Sequence, residues 1–127
     1  MTITGQSVYQ AINQVRIEHH EKALVPDAML VKAAQIKAND LLKPGCFAHQ
    51  APGCKSMWSI VRALNGSPWV LGNNLAKSYK TVEDLEAAWL RSKTHKANIL
   101  DRDYRKTGIG IAHAPDGTIY VVQVFSN

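Results

Sequence analysis

The sequence lacks the long hydrophobic runs that would place it in a membrane. None approaches the roughly 20 apolar residues that a membrane-spanning helix needs, so we expect a soluble domain with no transmembrane segment. The first residues, MTITGQS, contain neither the charged nor the apolar region of a signal peptide. Two interpretations remain open: a cytoplasmic protein, or a mature secreted or envelope domain whose leader is absent.

Aromatic residues are scarce where positive charge is concentrated. Between Arg91 and Lys106, six basic residues are accompanied by only Asp101 and Asp103, and Tyr104 is the one aromatic residue among them. Binding to single-stranded nucleic acid usually combines basic residues with several aromatic side chains on which bases stack. The sequence therefore predicts no nucleic-acid partner, although the basic excess could attract a small anionic ligand.

Cysteine is limited to Cys46 and Cys54, which flank the short segment FAHQAPG. If the two thiols pair, closing this loop would stabilise the fold by roughly 2.5 kcal/mol, and the pair would favour an oxidising compartment. Two alternatives stay open. The thiols could remain reduced and apart, or they could bind a metal with His49, although this spacing matches no standard zinc pattern.

Length and periodicity predict one domain over residues 1–127, with helices first and strands last. A content of 46% apolar residues supports a packed core. Helix-capping signals followed by apolar stripes predict helices that begin after Ser7, Asp27, Ser56 and Thr81. TGIGIAHA and TIYVVQVF flank the turn signal PDG and predict an antiparallel hairpin, with Trp69 to Ala76 as a third strand. Helices must cover both faces of this sheet, which predicts an α+β sandwich.

Four segments in register resemble one protein family. They are FAHQAP, LGNNLA, WLRSKTHKANIL and GIGIAHAPDGTIYVVQVF, and the amino-terminal AINQVRIEH and LVKAAQIKANDL agree with them. Together they resemble the bacterial branch of the CAP superfamily, which comprises cysteine-rich secretory proteins, antigen 5 and pathogenesis-related 1 proteins. The resemblance implies an α-β-α sandwich with a small central antiparallel sheet covered by helices, and it usually implies secretion.

The resemblance also implies a cleft where two histidines, often with acidic residues, converge on a divalent cation. By position these are His49 and His95, with His95 expected in a turn that directs it across the cleft. Two positions depart from the family pattern. Asn73 replaces the glutamate of a Gly-Glu-Asn triplet, and Ser92 stands at a second acidic position, as it commonly does in bacterial members.

Two imidazoles, an amide and a hydroxyl fall short of the three or four protein ligands that zinc takes. We therefore expect only weak binding of zinc or another divalent cation. The predicted function is that of an extracellular or envelope-associated binding module for a small polar or anionic ligand or a cell-surface component, assumed monomeric. Its cleft would be lined by His49, Asn73, Ser92 and His95.

Two alternatives belong to other functional classes. A hydrolase, for example a peptidase, could use Ser92 and His95 as a nucleophile and base three residues apart, but the motifs supply no residue to orient the base and no oxyanion donor. A structural or host-interaction protein would use its surface instead of the cleft. Other notable side chains have simpler interpretations, namely helix capping at His19 and His20, a strand position at His113, and core or cleft wall at Trp58 and Trp69.

Overall fold

The computed structural model describes residues 1–47 and 52–127, and its helices and strands follow the predicted order. The helices are α1 Gly5–Glu18, α2 Ala28–Asp40, α3 Met57–Ala63, α4 Val82–Arg91 and α5 Lys93–Leu100. The strands are β1 Val25–Pro26, β2 Leu71–Lys77, β3 Lys106–His113 and β4 Ile119–Ser126. Within these described residues, no helix is long and apolar enough to cross a bilayer.

The sheet has the strand order β1-β3-β4-β2. Strands β3 and β4 form the predicted antiparallel hairpin, and β2 pairs antiparallel with the other side of β4. The predicted central antiparallel sheet has one addition at its edge, where the two-residue strand β1 runs parallel to β3. A strand this short carries no alternating pattern that could have revealed it.

Helices cover both faces of the sheet, as the α-β-α sandwich requires. Successive side chains of a strand point to opposite faces, and β4 is buried on both. Val121 and Phe125 pack with α1, α4 and α5, whereas Val122 and Val124 pack with α2 and α3. The central strand therefore divides two apolar cores, which explains why its sequence is apolar at nearly every position.

Helix α2 lies against β3 without intervening side chains. A Cβ atom added to Gly108 would overlap the backbone of Leu30 and Val31, and one added to Gly110 would overlap the backbone of Ala34. The two glycines of TGIGIAHA are thus required for the close approach of backbone to backbone.

Capping signals located most helix starts, and the structure corrects two details. Asp27, Ser56 and Thr81 cap their helices as predicted. The first helix begins earlier than expected: Thr4 is its cap, and Ser7 completes a capping box by accepting from the Thr4 amide at 2.9 Å. His95 was predicted in a turn but lies in the first turn of α5, because Ser92 ends α4 and caps α5.

Two polar side chains of α1 hold the segments that follow α1 and α5. Asn13 exchanges two hydrogen bonds with the Leu24 backbone, at 2.8 and 3.0 Å. Arg16 is fully buried and donates to carbonyl oxygens of Lys22, Ile99, Asp101 and Tyr104. Burial lowers the pKa of Arg16, and the nearby carboxylates of Glu21 and Asp101 partly oppose this. Arg16 therefore fixes the end of α5 relative to α1.

Candidate functional site

An open cavity of about 400 Å³ lies where β2 meets α4 and α5. His95 and Ser92 line it together with side chains from β2, α4 and the loop after α2. These other lining residues are Phe47, Leu75, Ala76, Lys77, Tyr79, Ala88 and Trp89. The cavity is thus built from segments that are far apart in the sequence, and it includes two of the predicted site residues.

Ser92 and His95 are joined by a side-chain hydrogen bond. The Ser92 Oγ lies 2.8 Å from the His95 Nδ1 and also accepts from the His95 backbone amide at 3.4 Å. Both contacts arise because Ser92 is the N-cap of α5 and His95 is three residues further on. The hydroxyl therefore orients the imidazole ring at the rim of the cavity.

Trp89 forms the buried floor behind the imidazole. Its indole Nε1 donates to the Leu75 carbonyl oxygen at 3.1 Å, which ties α4 to strand β2. The His95 ring stacks on the indole with 6.4 Å between ring centroids and 26° between the planes. With only 2% of Trp89 exposed, this support is rigid.

Two asparagines attach α5 to β2 directly beneath His95. The Asn74 Nδ2 donates to the His95 carbonyl oxygen at 3.1 Å. The Asn98 Nδ2 donates to the Asn74 Oδ1 at 2.9 Å and to the Asn73 carbonyl oxygen at 3.2 Å. Both asparagines belong to the motifs that carry the family resemblance, and Asn98 was expected to anchor the turn after His95. Their role in holding His95 was missed because it depends on the register of α5 against β2.

Asn73, which the family resemblance places at a glutamate position, is not among the residues found to line the cavity. It is on the same side of β2 as Leu75, two residues or about 7 Å away along the strand. Its Nδ2 is buried and has no hydrogen-bond partner within the part of the chain that the structure describes. His49, the other predicted histidine, falls in 48–51 and lies outside the described residues.

The described lining of the cavity carries a positive charge from Lys77. Its Nζ lies 5.0 Å from the centroid of the Phe47 ring, a cation–π contact that holds the ammonium near the opening. Among the residues found to line the cavity, none is Asp or Glu. The electrostatics of this described part therefore favour a neutral or anionic molecule.

A disulfide closes the loop that carries His49. Cys46 and Cys54 are bonded, with 5.5 Å between their Cα atoms, so the predicted pairing is confirmed and the alternatives of free thiols or thiolate ligands are wrong. Cys46 is buried, and Phe47, the next residue, lines the cavity. The loop is thus constrained at both ends.

A buried ion cluster at the end of α2 holds the second end of this loop. The Asp40 Oδ2 accepts from the Lys55 amide at 2.8 Å, and the Lys37 Nζ donates to the Lys55 carbonyl oxygen at 2.6 Å. Burial alone raises the pKa of the Asp40 carboxyl, but the Lys55 amide and the ammonium groups of Lys43 and Lys37 together hold that pKa below its usual value. Burial lowers the pKa of Lys37, and Asp40 only partly offsets this.

The remaining candidates lie away from the cavity. His19 is the C-cap residue of α1, with its Nδ1 at 2.9 Å from the Val15 carbonyl oxygen, and His113 is the exposed last residue of β3. Trp58, predicted as core or cleft wall, is exposed on α3, with the Arg62 guanidinium 5.5 Å from the centroid of its ring, and it does not line the cavity at His95. The prediction that Trp69 belongs to the core or the cleft wall was wrong, because 91% of this residue is exposed. A position just before a strand does not indicate whether the aromatic ring points into the core or into solvent.

Comparison with known proteins settles the family. The sequence profile of the CAP, or cysteine-rich secretory protein, family matches residues 9–125. The chain belongs to the CAP family. Protein YkwD of Bacillus subtilis is 31% identical over 118 residues, which are 93% of this chain and 45% of YkwD. The CAP domain described here thus spans less than half the length of that relative, and its match to a bacterial protein agrees with the bacterial branch.

Solved structures show the same fold at lower identity. An extracellular protein containing an SCP domain from Bacillus anthracis superposes with a TM-score of 0.83 and 22% identity, over 97% of this chain and 40% of the other. An outer surface protein from Borrelia burgdorferi gives a TM-score of 0.87 and 21% identity, over 96% and 90%. Both confirm the sandwich architecture of this CAP domain.

Proposed function

We propose that residues 1–127 form a single CAP domain that acts outside the cell or in the cell envelope as a binding module. Its ligand is a small polar or anionic molecule, or such a group on a cell-surface component, held in the cleft of His49, Asn73, Ser92 and His95. A divalent cation such as zinc binds there only weakly. The observation that carries this proposal is the His95 ring, fixed by Ser92 at 2.8 Å and backed by Trp89.

The location outside the cytoplasm is supported by two independent observations. The structural relatives from Bacillus anthracis and Borrelia burgdorferi are an extracellular and an outer surface protein. The Cys46–Cys54 disulfide is of the kind that forms and persists in oxidising compartments.

The cavity has the chemistry of a binding site for a polar molecule. Leu75 and Trp89 give it an apolar floor, whereas Ser92, His95 and Lys77 place hydrogen-bonding groups at its opening. A few polar groups converging over an apolar surface are typical of small-ligand sites. The Lys77 ammonium would attract an anion, and the described lining contains no carboxylate that would repel one.

The same residues make a poor zinc site. Catalytic zinc takes three protein ligands and structural zinc takes four, whereas the predicted cleft offers two imidazoles. With Asn73 in place of a carboxylate, the site lacks a charge that would balance the cation. We therefore expect zinc binding to be weak and easily reversed.

A titration followed by NMR tests this proposal. Zn²⁺ and, separately, inorganic phosphate are added while the imidazole resonances of His49 and His95 are recorded. We expect both rings to shift together, the response to vanish in H95A, and the phosphate response alone to weaken in K77Q. H113A, which removes an exposed histidine at the end of β3, serves as the matched control. If the H49A/H95A double variant keeps the full response to both probes, the proposal is wrong.

A hydrolase is the second candidate, and the Ser92 to His95 hydrogen bond is the observation in its favour. The hydroxyl also caps α5, as serine commonly does at a helix start, so the contact does not require a catalytic role. A screen of peptide and ester substrates distinguishes the two functions. Turnover that is lost in both S92A and H95A would support a hydrolase, whereas no turnover dependent on His95 would eliminate it.

A further inference from the structure

Trp69 exposes a large aromatic ring at the end of the sheet opposite the cleft. It lies two residues before β2, and 91% of it is accessible to solvent. Leaving an indole in water forfeits the free energy that burying an aromatic side chain provides. A single exposed aromatic ring needs no explanation by itself, so the surroundings of Trp69 decide whether it can bind a ligand.

The backbone that carries the ring is held firmly. The amides of Trp69 and Val70 both donate to the Asn127 Oδ1, at 2.8 and 3.1 Å. Pro68 restricts the chain on one side, and β2 begins at Leu71 on the other. The indole is thus presented from an ordered segment.

A cavity of about 510 Å³ lies beside Trp69, and its volume exceeds the 400 Å³ of the cavity at His95. This volume lies within the range of small-molecule sites. Polar side chains from four separate segments share in its lining, namely Asp27, Asn65 and Ser67, Lys106, and Asn127. The Asp27 Oδ2 is used by the Leu30 amide as a helix cap. In the described part of the chain, the side chains of Asn65, Ser67 and Lys106 form no hydrogen bond.

This combination of groups matches the chemistry of a sugar. A β-linked pyranose presents an apolar face of C–H groups to an aromatic ring and directs its equatorial hydroxyls outward. Amide, hydroxyl, carboxylate and ammonium groups supply both donors and acceptors for those hydroxyls. The opposite charges of Asp27 and Lys106 balance, so the cavity favours a neutral ligand. We propose that Trp69 and this cavity form a second binding site, which takes a β-linked neutral oligosaccharide by stacking a sugar ring on the indole.

The proposed saccharide site is separate from the cleft. It lies where β2 starts and β4 ends, since Leu71 pairs with Ser126, whereas Ala76 and Lys77 line the cleft at the far end of β2. Leu75 is the first residue of β2 that lines the cavity at His95, four residues or roughly 13 Å along the strand from Leu71. No residue lines both cavities, so binding at one can be measured without the other.

The test records the Trp69 indole Nε1–H resonance of the 127-residue protein during titration with three pentasaccharides. These are the β-1,4-linked pentamers of N-acetylglucosamine and of glucose, and the α-1,4-linked pentamer of glucose. We expect at least one β-linked pentamer to shift the Trp69 resonance with a dissociation constant on the order of 1 mM. The α-linked pentamer, which curves away from a flat platform, is expected to bind at least about tenfold more weakly.

Variants assign the response to the site. W69A is expected to weaken binding at least about tenfold, and its thermal melting should be unchanged because the ring is exposed. S67A, at the polar side of the cavity, is expected to weaken binding a few-fold. W58F is the matched control, since Trp58 is a second exposed tryptophan that lies on α3 and does not line this cavity.

Three results would overturn the proposal. The first is that neither β-linked pentamer shifts the Trp69 resonance up to about 10 mM. The second is that W69A binds as well as the unchanged protein. The third is that the α-linked pentamer binds as tightly as the β-linked ones, which would contradict the stacking geometry. A Trp69 resonance that responds to protein concentration and not to any saccharide would instead identify the surface as one of self-association.

Discussion

The two faces of the sheet are joined to their helices in different ways. On the face covered by α2, backbone approaches backbone, since Gly108 and Gly110 leave room for no side chain against Leu30 and Ala34. On the face covered by α5, side-chain amides make the connection, through Asn74 and Asn98. Packing on the first face requires residues without a side chain, whereas packing on the second requires correctly placed hydrogen-bonding groups.

The two kinds of contact place different demands on the side chains. Close packing of α2 against β3 tolerates almost no change in volume. The amides between β2 and α5 cost desolvation unless every bond is formed, yet they hold the His95 carbonyl at a fixed place beside the cleft. The amide-mediated connection thus lies on the side of β2 from which His95 is held.

The largest expected effect comes from filling the space on the α2 face. In G108A, the new methyl group would overlap the backbone of Leu30 and Val31, which cannot rotate away as a side chain could. We expect a loss of at least about 3 kcal/mol in the free energy of unfolding, measured from urea denaturation. G5A is the control, because nothing lies within 4 Å of an added Cβ there and alanine favours a helix. A loss below about 1 kcal/mol would show that α2 moves away easily.

The requirement for Gly108 was visible in the sequence only as an irregularity. Capping residues and apolar periodicity predicted α2, α3, α4 and the β3–β4 hairpin because these signals are local. Glycine is unfavourable inside a strand, so the glycines in TGIGIAHA were unexplained by local preferences. They are required because α2, about 75 residues earlier in the chain, packs directly against them. Likewise, Ser92 gave no sign that it would both end α4 and cap α5, so His95 was expected in a turn.

The candidate site, like the fold, could be predicted from local patterns only where its residues are close in the sequence. Ser92 and His95 could be paired from their spacing, because three residues span one helical turn. Lys77 and Trp89 could not be assigned to the same cavity, since that depends on how α4 packs on β2. The resemblance to the CAP family supplied what local patterns could not, by relating the positions of distant motifs.

A smaller effect is expected on the α5 face, where one amide is removed. In N74A, the His95 carbonyl oxygen loses its donor at 3.1 Å and the Asn98 amide loses its acceptor at 2.9 Å. We expect a loss of about 2 kcal/mol, because buried groups are left without partners, together with a shift of the His95 imidazole resonance. G108A should leave that resonance unchanged in the protein that remains folded.

The control for N74A is N39A, at an exposed asparagine of α2. Its Oδ1 accepts a hydrogen bond from the Gln35 Nε2 at the surface. It should change stability by less than about 0.5 kcal/mol. If N74A is equally mild and His95 does not shift, the amide connection is not what holds α5, and the contrast between the two faces is lost.

The smallest effect is expected from lowering the pH, which acts on Asp40 at the end of α2, next to the disulfide-closed loop. The pKa of Asp40 is lowered in the fold by the Lys55 amide and by Lys43 and Lys37, against the effect of burial. A carboxyl whose pKa is lower in the folded than in the unfolded state stabilises the fold above its unfolded pKa, and that contribution is lost as the pH falls. The stability due to Asp40 is therefore complete near neutral pH and declines below about pH 4.

Comparison with D40N isolates this contribution. The difference in unfolding free energy between the unchanged protein and D40N should be constant from pH 7 to pH 5, on urea denaturation, and should shrink as the pH falls towards 3, about one unit below the usual Asp value. K43Q should reduce the slope, because Lys43 lies 3.2 Å from the Asp40 Oδ1, whereas K32Q on the exposed side of α2 should not. A difference that stays constant down to about pH 3 would mean that the charge of Asp40 contributes nothing. The loop that carries His49 would then be held by its disulfide and by the hydrogen bonds of the Lys55 backbone alone.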